Sequence, residues 1–437
     1  MAKARSSRRE HELSDEVGRS IEFMGLFDAS AYLRIHDDVR KAGEEPWMHF
    51  RNCGMSEGRQ FTSLQRVAKA LSRCDNNIQR AMVDFEKLVV GNANEAIDEA
   101  ACVLRSRGAV IGIFHSSSGT CVTKQIAKLV HWQMAALGID SKLRDQESDP
   151  NEFFNIRIFI GPQEFFSFGR GRVWNEFSGA PGSVLLNVEQ VQASGFARAL
   201  VSLRLAPLVL DINFHNAALL REIGCNAIHY MPPYLPGCKY TSPQLDISHM
   251  DVVRGYDFSR ELFDWTTGQE FSDRPIDILF VSDSERQAKA IETLRSLTDE
   301  FRFICIKTDD RLSKYREYQD VSAEVNWTLA QRSKIFLNIH PDWIGLFDWS
   351  KMVMPGLWQG ACVVSDPGLR GPVFAPGSHY IEEAVRHLPD LLRWLLGTIE
   401  GRVKMNEVAA AGHSQAAGAA ATAMLLPMLH SLQEVMN

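Results

Sequence analysis

"AVIGIFHSSSGTCVTKQIAKLVHWQMAALG", Ala109 to Gly138, is where the period of the chain changes. Ala109–His115 is almost wholly apolar, as expected of a strand covered on both faces. Ser116–Thr120 is a loop of small residues. From Cys121 the apolar positions recur at helical spacing until Gly138 ends the run. This is the strand–loop–helix opening of a parallel α/β unit. Outward from it the alternation continues. "IDSKLRD", "IRIFIGPQEFF", "GSVLLNVEQV", "PLVLDIN" and "NAIHYMPP" read as strand regions, with "FARALVSLRLA" and "FHNAALLREIG" as helices between them. Residues 236–275 lose the pattern and read as a linker. At Ile276 the alternation restarts, with "IDILFVSD", "FRFICIKT", "KIFLNIH" and "ACVVSD" as strands. The expected fold class is therefore α/β, with two doubly wound, Rossmann-like domains at 109–235 and 276–385. Helices follow over 386–437. Ligands of such sheets bind beyond the carboxyl ends of the strands, and two units in one chain imply a cleft.

The bulk numbers exclude several classes. The chain has 437 residues, 45% hydrophobic and 23% charged, with a net charge of −7. That balance is ordinary for a globular protein and argues against a nucleic-acid partner. The eight cysteines are scattered without a C-x-x-C pair, so neither a disulfide framework nor a structural zinc site is expected. No apolar run approaches the roughly 18 residues of a membrane span, and the start lacks the apolar core of a secretory signal. The expected compartment is the cytoplasm.

Residues 1–20 are charged and poorly patterned, and read as a disordered tail. Residues 21–108 read as helices. Phe27, Tyr32, Val39, Trp47, Phe50 and Phe61 are spaced to pack a small helical unit, with Gly43 as a C-cap and Pro46 in a first turn. This stretch resembles a module found beside sugar-transferring enzymes. The likeness is carried by Phe27-Asp28, Tyr32-Leu33, Asp37-Asp38-Val39, Gly43, His49-Phe50 and the ending Gly54-x-x-Glu57-Gly58-Arg59. Glu57 and Arg59 are expected to form a local ion pair closing a turn.

Candidate chemistry sits at strand ends. "IFHSSSGT" (113–120) places His115 at the end of a strand and small residues before a helix. Such a loop suits either an anion at the helix N-terminus or an ordinary Ser/Thr cap. It is neither a Walker loop nor a dinucleotide fingerprint. Glu189 and Gln190 close an apolar strand, an expensive place for an acid unless it is paired or binds something. Asp211 closes another, followed by Asn216; helix capping accounts for this pair equally well. "FLNIHPDWIGLFDWSK" (336–351) ends a strand on Asn338 and His340, then puts Asp348 and Lys351 at i and i+3. A plain surface ion pair there would contribute about 0.2–0.5 kcal/mol. A lysine near the positive end of a helix can instead meet a diphosphate.

The second half resembles the nucleotide-binding half of bacterial glycosyltransferases of the two-Rossmann, GT-B type. The residues that carry the likeness are Asp277-Ile278-Leu279-Phe280-Val281-Ser282, Leu337-Asn338-Ile339-His340, Asp348 with Lys351, and Gly360 to Asp366, including Ser365. In the first half, Asn187-Val188-Glu189-Gln190 and Asp211 to Asn216 fit the same family. Four positions depart from it: the usual Glu/Arg pair is Asp348/Lys351, the final Glu is Asp366, and the ribose-binding glutamate falls on Pro355. The resemblance implies a nucleotide-sugar donor, with a glycan or protein as acceptor and no cofactor. Ser282, His340 and Lys351 would handle the diphosphate. Asp348 and Asp366 would take ribose or sugar hydroxyls, with Asn338 and Ser365 beside them. Ser116, Gln190, Asp211 and Asn216 would lie on the acceptor side, and His115 or Glu189 would be the base. No D-x-D triplet occurs, so the leaving diphosphate is expected to be neutralised without a metal. A peripheral membrane contact and a protein partner for the helical module are compatible with this reading. The competing reading is a non-catalytic scaffold of the same fold acting through protein interactions.

Overall fold

The computed structural model describes residues 2–74, 78–83, 87, 93–233, 271–282, 285–307, 327, 329–340, 345–347 and 349–436. It divides into two units: 1–232 together with 422–437, and 233–421. Each is built on a parallel sheet.

The first sheet contains β1 (Val110–His115), β2 (Asp140–Asp145), β3 (Ile156–Ile160), β4 (Ser183–Asn187), β5 (Leu208–Asp211) and β6 (Ala227–His229). Their order is β2-β1-β3-β4-β5-β6, with every neighbour parallel. The order reverses at β1, so the crevice beyond the strand ends opens between β1 and β3. β4 and β5 are buried along their whole length, as their unbroken apolar runs require.

The helical region before this sheet begins earlier than the composition suggests. Of residues 1–20, expected as a disordered tail, those from Ala2 onward belong to a helix, Ala2–Met24. Val17, Ile21 and Met24 recur at i, i+4 and i+7 and are buried. Three apolar residues among many charges are enough to pin one face. The helix Ala29–Ile35 is capped by Asp28, whose carboxylate accepts from Ala31 N at 3.0 Å. Gly43 takes the left-handed C-cap with φ 68°, and Pro46 opens the helix Pro46–His49. Tyr32 is wholly buried among Phe27, Phe50 and His36, and its hydroxyl pairs with His49 Nδ1 at 2.8 Å. Arg59 bonds Glu57 and Asp38, closing the turn as expected.

The second sheet holds β7 (Ile276–Ser282), β8 (Phe303–Lys307), β9 (Ser333–Asn338), β11 (Cys362–Ser365) and β13 (Ile381–Glu382), in the parallel order β13-β11-β9-β7-β8. A separate parallel pair joins β10 (Gly345–Leu346) to β12 (Gly368–Leu369). One face of the larger sheet presents Ile278, Phe280, Ile335, Leu337, Cys362 and Val364. They pack on Leu388, Leu392 and Leu395 of the helix Leu388–Gly397 and on Met405 and Val408 of the helix Ile399–Ala417. Each aliphatic side chain so buried contributes about 1.5–3 kcal/mol. The order reverses between β7 and β9.

The helices of residues 386–437 are divided between the two units. The first two helices belong to the second unit, while the last, Ala419–Val435, runs into the first unit from residue 422 onward. There Gln433 Nε2 donates to Ala100 O at 2.8 Å and Met231 N donates to Met424 Sδ at 3.3 Å. Their apolar patterning reads as helix without saying which core each helix serves. The segment 349–357, read as an ordinary helix, is a π-helix, Trp349–Leu357, with Pro355 inside it. A proline removes one backbone donor, which a wider turn accommodates. Most of the expected linker lies outside the described residues, apart from the turn Phe271–Asp273.

Candidate functional site

At the carboxyl end of the second sheet, β9 and β11 pair with Asn338 opposite Ser365. Both strands spend apolar residues on the core and finish on polar ones. Asn338 Nδ2 donates to Ser365 Oγ at 2.9 Å, and Ser365 Oγ donates to Asp366 O at 3.0 Å. Asp366 Oδ1 then accepts twice from His340, from its backbone N at 2.8 Å and from Nδ1 at 2.7 Å. Both side chains are at most 5% exposed. A carboxylate only accepts, so Nδ1 carries a proton.

The imidazole lies in a slot that only glycine permits. A Cβ on Gly345 would stand 1.9 Å from His340 Cδ2, and one on Gly368 would stand 3.1 Å from His340 Cε1. The pair β10–β12 therefore presses bare backbone against the ring. Behind it, Gln287 Nε2 donates to Ile339 O at 2.6 Å and fixes the chain just before the histidine. Asp366 was expected to meet a sugar hydroxyl; the structure commits its Oδ1 to His340. Asp348 lies outside the described residues. Ser282 ends β7 and Lys351 lies in the π-helix, their side chains being outside the described set.

At the first sheet, His115 ends β1, half-buried, with Nδ1 3.1 Å from Ser116 O. The carbonyl takes the Nδ1 proton, which leaves Nε2 as the basic nitrogen. Burial lowers its pKa from the ordinary 6.5, against the hydrogen bond to Ser116 O and the charge of Asp145. The serine loop is tied down internally. Gln146 Oε1 accepts from Ser117 N at 3.3 Å and from Ser116 Oγ at 3.4 Å, and its Nε2 donates to Phe168 O at 2.9 Å. Glu164 Oε2 accepts from Thr120 N at 3.0 Å and from Thr123 Oγ1 at 3.2 Å. Of the two alternatives for this loop, neither an external anion nor a Ser/Thr cap is seen: a carboxylate of the chain itself, Glu164, meets the start of the helix Cys121–Ala136. Glu164 and Gln146 were missed. The signal available was an acid, Glu164, three residues after the glycine that follows β3.

Between β4 and β5, Asn187 stands opposite Asp211. Asp211, wholly buried, accepts from Asn187 Nδ2 at 2.7 Å and from Asn213 N at 2.7 Å. Asn216 Nδ2 donates to Glu189 O at 2.7 Å and its Oδ1 accepts from Val191 N at 3.2 Å. Gln190 pairs with Gln192. The cap that could have been Asp211 or Asn216 is Asn213, which accepts from His215 N and Asn216 N. Asp211 and Asn216 instead hold the Glu189–Val191 turn in place.

Burial pushes the Asp211 carboxyl well above its ordinary 3.8, against the hydrogen bonds from Asn187, Asn213 and Asn216. A raised acid favours the folded state most strongly at low pH, and that contribution is lost as pH rises through the raised value. His215, held at about 4 by burial, tilts the profile the other way. Asp211→Asn should therefore change the slope: wild-type minus variant stability should fall with rising pH above the ordinary carboxylate range. Urea titrations of both proteins between about pH 4 and 8 would read this, and a flat difference would show that Asp211 is not desolvated.

Among the described residues, no helix is long and apolar enough to cross a membrane. No family model matches the chain, and no curated protein matches it. Solved structures match the chain, among them the following three. HepE of Anabaena in complex with UDP and glucose is 13% identical, with a TM-score of 0.41, covering 79% of this chain and 96% of that one. The same protein with UDP-glucose is 11% identical, with a TM-score of 0.42 and coverages of 74% and 99%. A glycosyltransferase from Rickettsia africae is 13% identical, with a TM-score of 0.41 and coverages of 80% and 96%. At such identities the roles of these residues have to be argued from this chain alone.

Proposed function

We propose that the chain transfers a glycosyl group from a nucleotide-sugar donor to a glycan or protein acceptor, without a metal ion. The observation that carries the reading is the buried polar set at the ends of β9 and β11: Asn338, His340, Ser365 and Asp366. Four buried polar residues beside the point where the strand order reverses are what a ligand of a parallel α/β sheet would use. The sequence resemblance at the same residues names that ligand as a nucleotide sugar.

In this reading His340 is a buried part of the wall beside the diphosphate, and Asp366 is a positioning residue that fixes its ring. Lys351 supplies a point charge and the π-helix its positive end. Together they stabilise the negative charge that develops on the leaving diphosphate. The acceptor hydroxyl gives its proton to His115 Nε2 if the anomeric centre inverts. A neutral imidazole at pH 7 is competent to take it. Glu189 is the other candidate, on a turn fixed by Asn187 and Asn216.

Calorimetric titration with UDP, GDP, dTDP and their sugars tests the donor assignment. Absence of binding to all of them at about 1 mM would overturn it. With the donor known, His115→Ala should lower kcat by about 10²–10⁴ while leaving donor affinity within twofold. Unchanged kcat would pass the base role to Glu189, and hydrolysis or transfer at any rate would exclude the non-catalytic scaffold.

A further inference from the structure

The first unit contains a cavity of about 560 Å³, outside every residue discussed so far as donor site or base. It lies where residues 14–56 of the helical region meet residues 166–205 of the α/β region. Its volume is in the range of small-molecule sites, roughly 300–1,000 Å³. Its walls are unlike an ordinary packing defect. They carry the hydroxyls of Ser56, Ser167, Ser178 and Ser202 and the amides of Asn52 and Asn175. Ser178 is only 5% exposed, its hydroxyl donating to Asn175 O at 2.8 Å and leaving the oxygen able to accept.

Two guanidinium groups complete the lining. Arg51 is neutralised within the cavity, donating to Asp15 Oδ1 at 2.7 Å. Arg198 is placed differently. Its Nη2 donates to a backbone carbonyl, Glu57 O, at 2.7 Å, and its Cζ stands 5.9 Å from the Phe168 ring centre. A carbonyl holds the group without cancelling its charge. The cavity therefore keeps one positive charge in a chain whose net charge is −7. Gly58 leaves the room for this placement, since a Cβ there would stand 2.9 Å from Arg198 Nη2.

We infer that this cavity binds an anionic sugar, a sugar acid or a sugar phosphate, with Arg198 taking the acid group and the serine and asparagine walls taking the hydroxyls. A guanidinium fork matches carboxylate and phosphate alike. The site is independent of the donor assignment, and its failure would leave that assignment standing.

Calorimetric titration of the full chain with glucose 6-phosphate, glucuronate and glucose tests it. At least one of the two acids should bind, and glucose should bind at least tenfold more weakly. The acid that binds tells phosphate from carboxylate. Arg198→Gln should weaken binding at least tenfold. Ser202→Trp, which puts an indole into the cavity, should abolish it. Neither change should alter binding in the nucleotide-sugar titrations. Absence of binding by both acids at about 10 mM would overturn the inference. So would equal binding of glucose, or binding that survives Ser202→Trp in a protein that still melts as the wild type does.

Discussion

Asp366→Ala should destabilise the second unit by about 2–6 kcal/mol, roughly 1–3 kcal/mol for each buried donor left without its acceptor. The carboxylate accepts both the backbone N–H and the ring Nδ1–H of His340, so the variant leaves two buried donors without their acceptor. Water cannot easily replace it, because His340 is 5% exposed. At about 2–4 °C per kcal/mol for a unit of this size, the melting temperature should drop by roughly 10 °C. Asp366→Asn keeps one acceptor oxygen and should fall between. A double-mutant cycle with His340→Ala should give a coupling of more than about 1 kcal/mol. A loss of less than about 0.5 kcal/mol in the single variant would show that the pair is not formed in solution.

Gly345→Ala should be nearly as damaging, for a steric reason. Its methyl group would stand 1.9 Å from His340 Cδ2 and 2.1 Å from Cγ. The ring cannot retreat without breaking its bond to Asp366, and overpacking of this kind costs about 1–3 kcal/mol. The diagnostic result is suppression. His340→Ala removes the atoms that clash, so the double variant should be no less stable than His340→Ala alone. If the two losses simply add, the close approach of β10 to the ring is not what Gly345 provides. Binding of whichever nucleotide sugar the titrations identify should fall with Gly345→Ala before the fold is lost, since the ring moves first.

The two sheets were legible because fully buried parallel strands are written as unbroken apolar runs, and Val184–Leu186 or Val363–Val364 have no other use. Asn338, His340, Ser365 and Asp366 could be singled out for the same reason: each interrupts such a run. What they do for one another was not legible. His340 and Asp366 meet only because β9 and β11 are neighbours in register, and nothing local to either residue records that pairing. Glu164 was hidden for a related reason. It sits in the apolar stretch after β3, and its partner Thr120 lies 44 residues earlier. The N-terminal helix was misread because charge dominates its composition, while its fold depends on Val17, Ile21 and Met24.

The way the last helix is shared out also dictates an order of assembly. Residues 422–437 complete the unit that begins the chain, and residues 233–421 lie between. During synthesis the earlier unit must wait, lacking the contacts of Met424 and Gln433, until the whole later unit has left the ribosome. An amino-terminal fragment ending near Pro232 would be missing a wall of its own interior.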